Sequence, residues 1–357
     1  YPRIIYFFNK VVNNNEILVN DNAIELKNYR LFIFFQISIF FVSLVFLYKV
    51  ISKILEKRLS LIIISVLFLN PIIFQWHLAF LTESLFLSVL IFSICFLLES
   101  KKFFHFFFLG ILIGVLYMLR TIALLYPILL IIYLLFQKKN IARKILNILS
   151  LIFGVAIILL FIGIQNYKRA DVFYFTPIQS KTDLNTYIEA GILVKSKNFT
   201  ALQAREYLNK KSQAILDNNN FDFTKESEKI KFLNEIRNNS INTISENKII
   251  FLQLVLPNYF HSMLLNPVQV YFAAKYQTWE KYKNSPDHKF WLKIRVIITL
   301  LFFSLFLYGL IISRKKISLE LNIFLFFSIL YFFFTSCWLG NTRYFIPSFM
   351  FMSIYFS

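Results

Sequence analysis

Glycine is scarce in this chain, with 7 among 357 residues, and no Gly-rich loop of the kind that cradles nucleotide phosphates occurs. Cysteine is scarcer. Cys95 and Cys337 both lie inside apolar stretches, which excludes a disulfide framework or a zinc spacing and leaves them as thiols packed against lipid or helices. His105, His261 and His288 show no metal-ligand spacing, and no Ser-His-Asp order is present. Charge is thin as well: 16% of residues are charged, and Asp and Glu number 19 against 38 Lys and Arg.

What fills the chain instead is apolar: 58% of residues are hydrophobic, 19% are aromatic and 45 are Phe. A soluble domain of this length cannot bury that much apolar surface, so the surplus is expected to face lipid. The net charge of +19 would suit nucleic acid. The cations, however, cluster in short turns between apolar runs, which is the pattern of membrane topology and not of a DNA-binding face. No nucleic-acid partner is expected. The chain opens at Tyr1-Pro2 without a Met and stops at Ser357 inside an apolar run, so a fragment cut at both ends is expected.

Apolar stretches of spanning length occur at 31–49, 57–74, 82–98, 103–119, 121–136, 146–164, 292–313, 319–336 and 343–357, the last expected to be truncated. Lys49, Lys53, Lys57 and Arg58 follow the first. Lys101 and Lys102 follow the third, Lys138, Lys139, Arg143 and Lys144 the fifth, and Arg314, Lys315 and Lys316 the seventh. The positive-inside rule makes these turns cytoplasmic. The connections 75–81, 120, 165–291 and 337–342 are then extracytoplasmic, and every span alternates without conflict. The expected fold class is an all-α polytopic membrane protein with about nine transmembrane helices and one large, mostly helical extracytoplasmic loop. Its parts are the end of a first outer loop (1–30), a six-helix region (31–164), the outer loop domain (165–291) and C-terminal transmembrane helices (292–357).

The 165–291 segment is polar and rich in Asn and Lys. Thr200 and Gln203 form a capping-box pattern that opens a helix through Leu208 and Ile215. Ile230, Leu233, Ile236, Ile241 and Ile244 share one face of a second helix. Residues 249–265 are apolar but interrupted by Pro257, which suggests a helix lying on the membrane surface instead of a tenth span. Asn198-Phe199-Thr200 fits a glycosylation sequon, at near-chance level in so Asn-rich a chain.

Between residues 31 and 164 there are three carboxylates: Glu56, Glu83 and Glu99. Glu56 and Glu99 sit beside cytoplasmic lysines. Glu83 alone stands at the outer end of a span, in Phe80-Leu81-Thr82-Glu83-Ser84-Leu85-Phe86. A carboxylate at that depth costs free energy unless it is paired, hydrated or metal-bound, and so marks a functional site. Its other reading is a marker of the water interface at a helix start, where an acid suits the helix dipole. Arg120 and Arg343 break the positive-inside pattern and should lie at the same outer face. Their planar forks suit phosphate oxygens. Each is equally explained by snorkelling or by a structural pair with Glu83. Trp76 reads as an interfacial anchor, and His77 beside it as a proton-transfer aid or a structural residue.

Four stretches resemble one family. Tyr1-Pro2-Arg3-Ile4-Ile5-Tyr6 resembles a Tyr-Pro-rich segment closing a first outer loop. Leu81-Thr82-Glu83-Ser84-Leu85-Phe86 resembles Thr-Glu-Pro-Leu-Phe, with Ser84 in place of Pro. Gly114 to Thr121 resembles Gly-x-x-x-x-x-Arg-Pro, with Thr121 in place of Pro. Arg343-Tyr344-Phe345-Ile346-Pro347 resembles Arg-Tyr-x-x-Pro, and Asn166-Tyr167 opening the large loop also fits. These are motifs of the GT-C superfamily of membrane glycosyltransferases, in the branch of protein O-mannosyltransferases and bacterial aminoarabinose transferases.

The resemblance implies transfer of a hexose or pentose from a polyprenyl-phosphate donor at the extracytoplasmic face of a bacterial plasma membrane. The acceptor would be a glycan, a lipid or a protein. It implies that the base is an Asp in the first outer loop, upstream of Tyr1. Glu83 would organise the acceptor, the donor phosphate or a divalent metal, while Arg120 and Arg343 would neutralise the leaving phosphate. His77 and Tyr344 are secondary candidates. Two rival readings remain beside it: a polysaccharide or lipid-linked oligosaccharide transporter, and an O-antigen polymerase or ligase.

Overall fold

A computed structural model describes residues 19–20, 23–24, 29–77, 82–99, 102–175, 184–219, 221–264, 285–313, 318–336 and 345–356. Apart from one short antiparallel ladder, β1 (Val19–Asn20) with β2 (Ala23–Ile24), the described elements are helical. They form two units. The first is built from the helices before Val155 and after Met263, and the second from those within Ala156–Ser262.

In the first unit α1 (Tyr29–Ile51) realises the first apolar stretch and ends at the Lys49 turn. The second stretch is not one helix. Asn70 is extended (φ −69°, ψ 113°), because the residue before a proline is pushed out of the α region. Pro71 therefore divides α2 (Lys57–Leu69) from α3 (Pro71–His77). The third and fourth stretches are α4 (Glu83–Glu99) and α5 (Phe103–Leu119). The fifth is also shorter than its apolar run. Residues Thr121–Ala123 form a single 3₁₀ turn before α6 (Tyr126–Phe136). Pro127 stands in the first turn of α6, where a missing N–H costs nothing. The next stretches are α7 (Ile141–Ala170), and later α12 (Pro286–Ser313) and α13 (Leu319–Ser336). The last stretch is a short α14 (Ile346–Ser353) with one further 3₁₀ turn at Ile354–Phe356.

Three of these helices are long and apolar enough to cross a membrane: Leu31–Ile51, Ile141–Lys168 and Pro286–Ile312. Phe103–Leu119, Thr121–Phe136 and Leu319–Thr335 are shorter apolar helical segments. Packing in the unit is aromatic and close. α1 lies along α4, with the Phe46 and Phe92 rings edge to face at 5.7 Å. α5 and α7 meet through glycine. A Cβ on Gly110 would stand 2.2 Å from the Leu151 carbonyl oxygen, and one on Gly154 2.2 Å from that of Phe107. Ser150 Oγ donates to the Phe103 carbonyl in the same contact (2.9 Å). On the other side, Phe302 of α12 stacks on Phe349 of α14 at 4.1 Å, and Ser348 Oγ donates to the Ile329 carbonyl of α13 (3.0 Å).

The second unit opens within α7 because the two halves of that helix have different neighbours. Gly154 faces α5, whereas Gly163 receives the Phe173 ring. A π-helical turn, Leu184–Glu189, runs into α8 (Ala190–Ser196), followed by α9 (Ala201–Asn219), α10 (Glu226–Glu246) and α11 (Lys248–Met263). The Thr200–Gln203 capping box is formed. The Thr200 N–H donates to Gln203 Oε1 (2.8 Å), and the Gln203 N–H donates to Thr200 Oγ1 (3.2 Å). Asn198, the sequon residue, adopts φ 53° just past α8, a left-handed position that Asn tolerates better than most residues. In α10, Ile230 and Ile236 are buried as expected, but Ile241 is 42% exposed. The core beneath belongs to Ile188, Ile192 and Val255 with Ile244, Phe251 and Leu254. Pro257 does not break α11.

One buried carboxylate ties this unit together. Glu189 is 1% exposed. It accepts hydrogen bonds from Asn185 Nδ2 (3.0 Å), Lys211 Nζ (2.8 Å), Ser240 Oγ (2.7 Å) and Thr243 Oγ1 (3.0 Å). Burial by itself would raise its pKa. The hydrogen bond from Lys211, those from Ser240 and Thr243, and the Lys211 charge together outweigh burial and hold it below the ordinary carboxylate range.

Candidate functional site

Glu83 is the first residue of α4, and Arg120 is the residue that ends α5, its N–H donating to the Leu116 carbonyl (2.9 Å). The two helices are packed neighbours in sequence with three residues between them, so the start of one lies beside the end of the other. Each charge suits its helix end: an anion at an N-terminus and a cation at a C-terminus, each favourable by about 0.3–1 kcal/mol. The carboxylate and the guanidinium also meet, Arg120 Nη1 standing 3.4 Å from Glu83 Oε1, with side chains 11% and 6% exposed respectively. Around them the wall is apolar and aromatic. Arg120 lies over the Phe86 ring at 5.9 Å, and Phe86 meets Phe332 of α13 at 6.0 Å.

His77 reaches the same turn from α3. Its Nδ1 is hydrogen-bonded to Ser84 Oγ, next to Glu83, and its ring centre is 4.1 Å from that of Phe40 on α1. His77 and Ser84 are both 1% exposed, and Gln36 and Gln75 are buried on the neighbouring helices. The start of α4 thus gathers polar side chains within an apolar bundle, Glu83 against Arg120 and Ser84 against His77. Glu83, Arg120 and His77 are brought to it. Arg343 and Tyr344 lie outside the described residues, as do Trp76's side chain, the Tyr1–Tyr6 segment and Cys337. The described chain resumes at Phe345, whose ring packs on Phe333 (6.2 Å) and Phe303 (6.1 Å).

One residue of this unit went unread in the sequence. Arg295 lies inside the span-length helix α12 yet is 2% exposed, and its Nη2 donates to the Leu264 carbonyl (3.3 Å). The signal was present. Arg295, Thr299, Phe302 and Phe306 recur at helical spacing on one face, and all four are buried. A cation on that face is a buried charge and not a snorkelling one.

Among the described residues no group of three or more His, Cys, Asp or Glu is placed to hold a metal ion. At Glu83 the Arg120 guanidinium stands beside one of the two carboxylate oxygens. Comparison of the chain with family models, with curated proteins and with solved structures finds no match.

Proposed function

We propose that this chain is a membrane glycosyltransferase that moves a sugar from a polyprenyl-phosphate donor to a glycan, lipid or protein acceptor. The reaction takes place at the extracytoplasmic face of a bacterial plasma membrane. The single observation that carries this reading is the Glu83–Arg120 pair, two opposite charges buried among aromatic rings where two helix ends meet. The motif order around it and the charge alternation of the turns support the same reading, with nine spans as the proposed topology.

In the proposed reaction an acceptor hydroxyl attacks the anomeric carbon while the bond from that carbon to the lipid-phosphate oxygen breaks. The hydroxyl proton passes to a base, and the electron pair of the broken bond leaves on the phosphate. Arg120 would neutralise that oxygen, and Glu83 would organise the acceptor or the donor phosphate. Arg343 is the proposed second phosphate ligand.

The pair has a structural role as its rival, and a charge swap separates the two. Sugar transfer is measured in membranes holding the full-length protein at equal expression, for Glu83→Gln, Arg120→Ala, Arg343→Ala and the exchange Glu83→Arg with Arg120→Glu. Loss of a group that stabilises developing charge is expected to lower transfer by about 10²–10³-fold, and the swap is expected to stay inactive although it restores an ion pair. Wild-type rates in the single variants, or full rescue by the swap, would reduce the pair to a structural one. Movement of a lipid-linked sugar across vesicles with no covalent transfer would favour a transporter instead.

A further inference from the structure

α11 is apolar on two opposite sides. Toward the second unit it contributes Val255 to the core with Ile188 and Ile192, and Ile250, Phe251 and Leu254 pack against that cluster. On its far side Ile249, Leu252, Leu256 and Phe260 are 74%, 52%, 53% and 69% exposed. At 100° per residue these four fall on one line, a stripe roughly 16 Å long. Neighbouring helices of the same unit behave otherwise. The exposed positions of α9 mix Leu202 and Tyr207 with Arg205, Glu206 and Lys210, and those of α10 mix Ile241 with Lys231 and Arg237, so neither carries an unbroken apolar stripe. The outward face of α11 is therefore made for a different medium from theirs.

We propose that this stripe lies in the boundary between headgroups and acyl chains of the bilayer that holds the protein's own spanning helices. Three features favour lipid as the occupant. The second unit contains the later turns of α7, a helix long and apolar enough to cross a membrane, so a bilayer lies at the unit's own root. There Leu160, Phe161 and Ile164 are 51%, 48% and 48% exposed, the same kind of bare apolar surface as on α11. Charge is complementary to anionic headgroups. Lys248–Met263 contains no Asp or Glu. Lys248 begins the helix, and the exposed Lys195 is held at its flank by a hydrogen bond from Nζ to the Gln253 carbonyl (3.3 Å). At 16 residues, with one face committed to a core, α11 lies along the surface and does not cross it.

Nitroxide labels test this in the full chain, reconstituted in nanodiscs of phosphatidylcholine and phosphatidylglycerol, with Cys95→Ala and Cys337→Ala as background. Labels are placed one at a time at Ile249→Cys, Leu252→Cys, Leu256→Cys and Phe260→Cys, with Lys229→Cys as the water reference. The four stripe labels are expected to relax with oxygen and to be shielded from a water-soluble nickel chelate at least fivefold more than the label at 229. Equal nickel access at the stripe and at 229 would put the stripe in water. Shielding from both oxygen and nickel would put protein over it, a second copy or another part of the chain, and either result overturns the proposal. A label-free check is Leu256→Trp, whose added fluorescence brominated lipid should quench, while that of Lys229→Trp should be unaffected. Equal quenching of the two would again overturn it.

Discussion

Glu83 and Arg120 show how a charge can be kept in an apolar bundle. Each sits at the helix end whose dipole suits it, and each compensates the other across 3.4 Å. Removing one partner of such a buried pair costs about 3–5 kcal/mol, because the remaining charge stays in low dielectric. Arg120→Ala should therefore lower the thermal midpoint in detergent as well as transfer, and Glu83→Gln less so, since an amide can still accept from the guanidinium. Arg295 carries a similar expectation. Arg295→Ala leaves the Leu264 carbonyl without this donor, and a loss of about 1–3 kcal/mol is expected in a thermal-shift measurement.

Glu189 adds a pH dependence. Its folded pKa is depressed, so its contribution is fully present above the unfolded value of about 4.3 and disappears as pH falls through the lower folded value. The midpoint of the wild type should fall steeply below about pH 4. Glu189→Gln should flatten that dependence and lower stability at neutral pH. A midpoint that tracks pH identically in both proteins would remove Glu189 as the cause.

At the scale of elements, glycine and proline decide where helices meet and stop. The Gly110–Gly154 contact leaves no room for a side chain, since the atoms in the way are backbone carbonyls that cannot swing aside. Gly110→Leu or Gly154→Leu should separate α5 from α7 and destabilise the protein by at least about 1–3 kcal/mol, read as a lower midpoint in detergent. Thr200→Ala removes the acceptor for the Gln203 N–H and should cost about 1 kcal/mol of α9 stability, measurable by hydrogen exchange at the first turn of that helix.

Element positions were legible from apolar runs and from the Thr200 capping box. Helix lengths were less so. A run such as 57–74 is apolar throughout, and hydropathy does not register that Asn70 must leave the α region ahead of Pro71. The connection at Arg120 is longer than its charge showed for a similar reason: Thr121–Leu125 is apolar enough to extend a span, but its backbone turns.

For the whole molecule, the expectation of lipid rests on three span-length helices and on apolar side chains that remain exposed along them. The charge pattern adds an orientation, which is open to a direct check. Single cysteines introduced for Lys53, Lys102 and Lys139 should be labelled by membrane-impermeant maleimide only after the membrane is opened, and a cysteine for Lys229 before. Labelling of Lys229→Cys from the cytoplasmic side alone would reverse the proposed sidedness and move the candidate site with it.

The sequence by itself determined the medium, the places of most helices, and the loneliness of Glu83, because composition and the spacing of charges report directly on transfer from water to lipid. It also singled out Arg120, whose position defied the charge alternation. Only the tertiary structure decided that these two residues meet, that His77 bonds Ser84 beside Glu83, and that Arg295 turns inward. Those facts depend on which helix ends are neighbours and on which face of each helix is buried, and hydropathy does not record either. The same limit applied to α11. Its apolar character was plain in the residues, but only the packed core of the second unit showed which half of that surface was already taken and which half was left exposed.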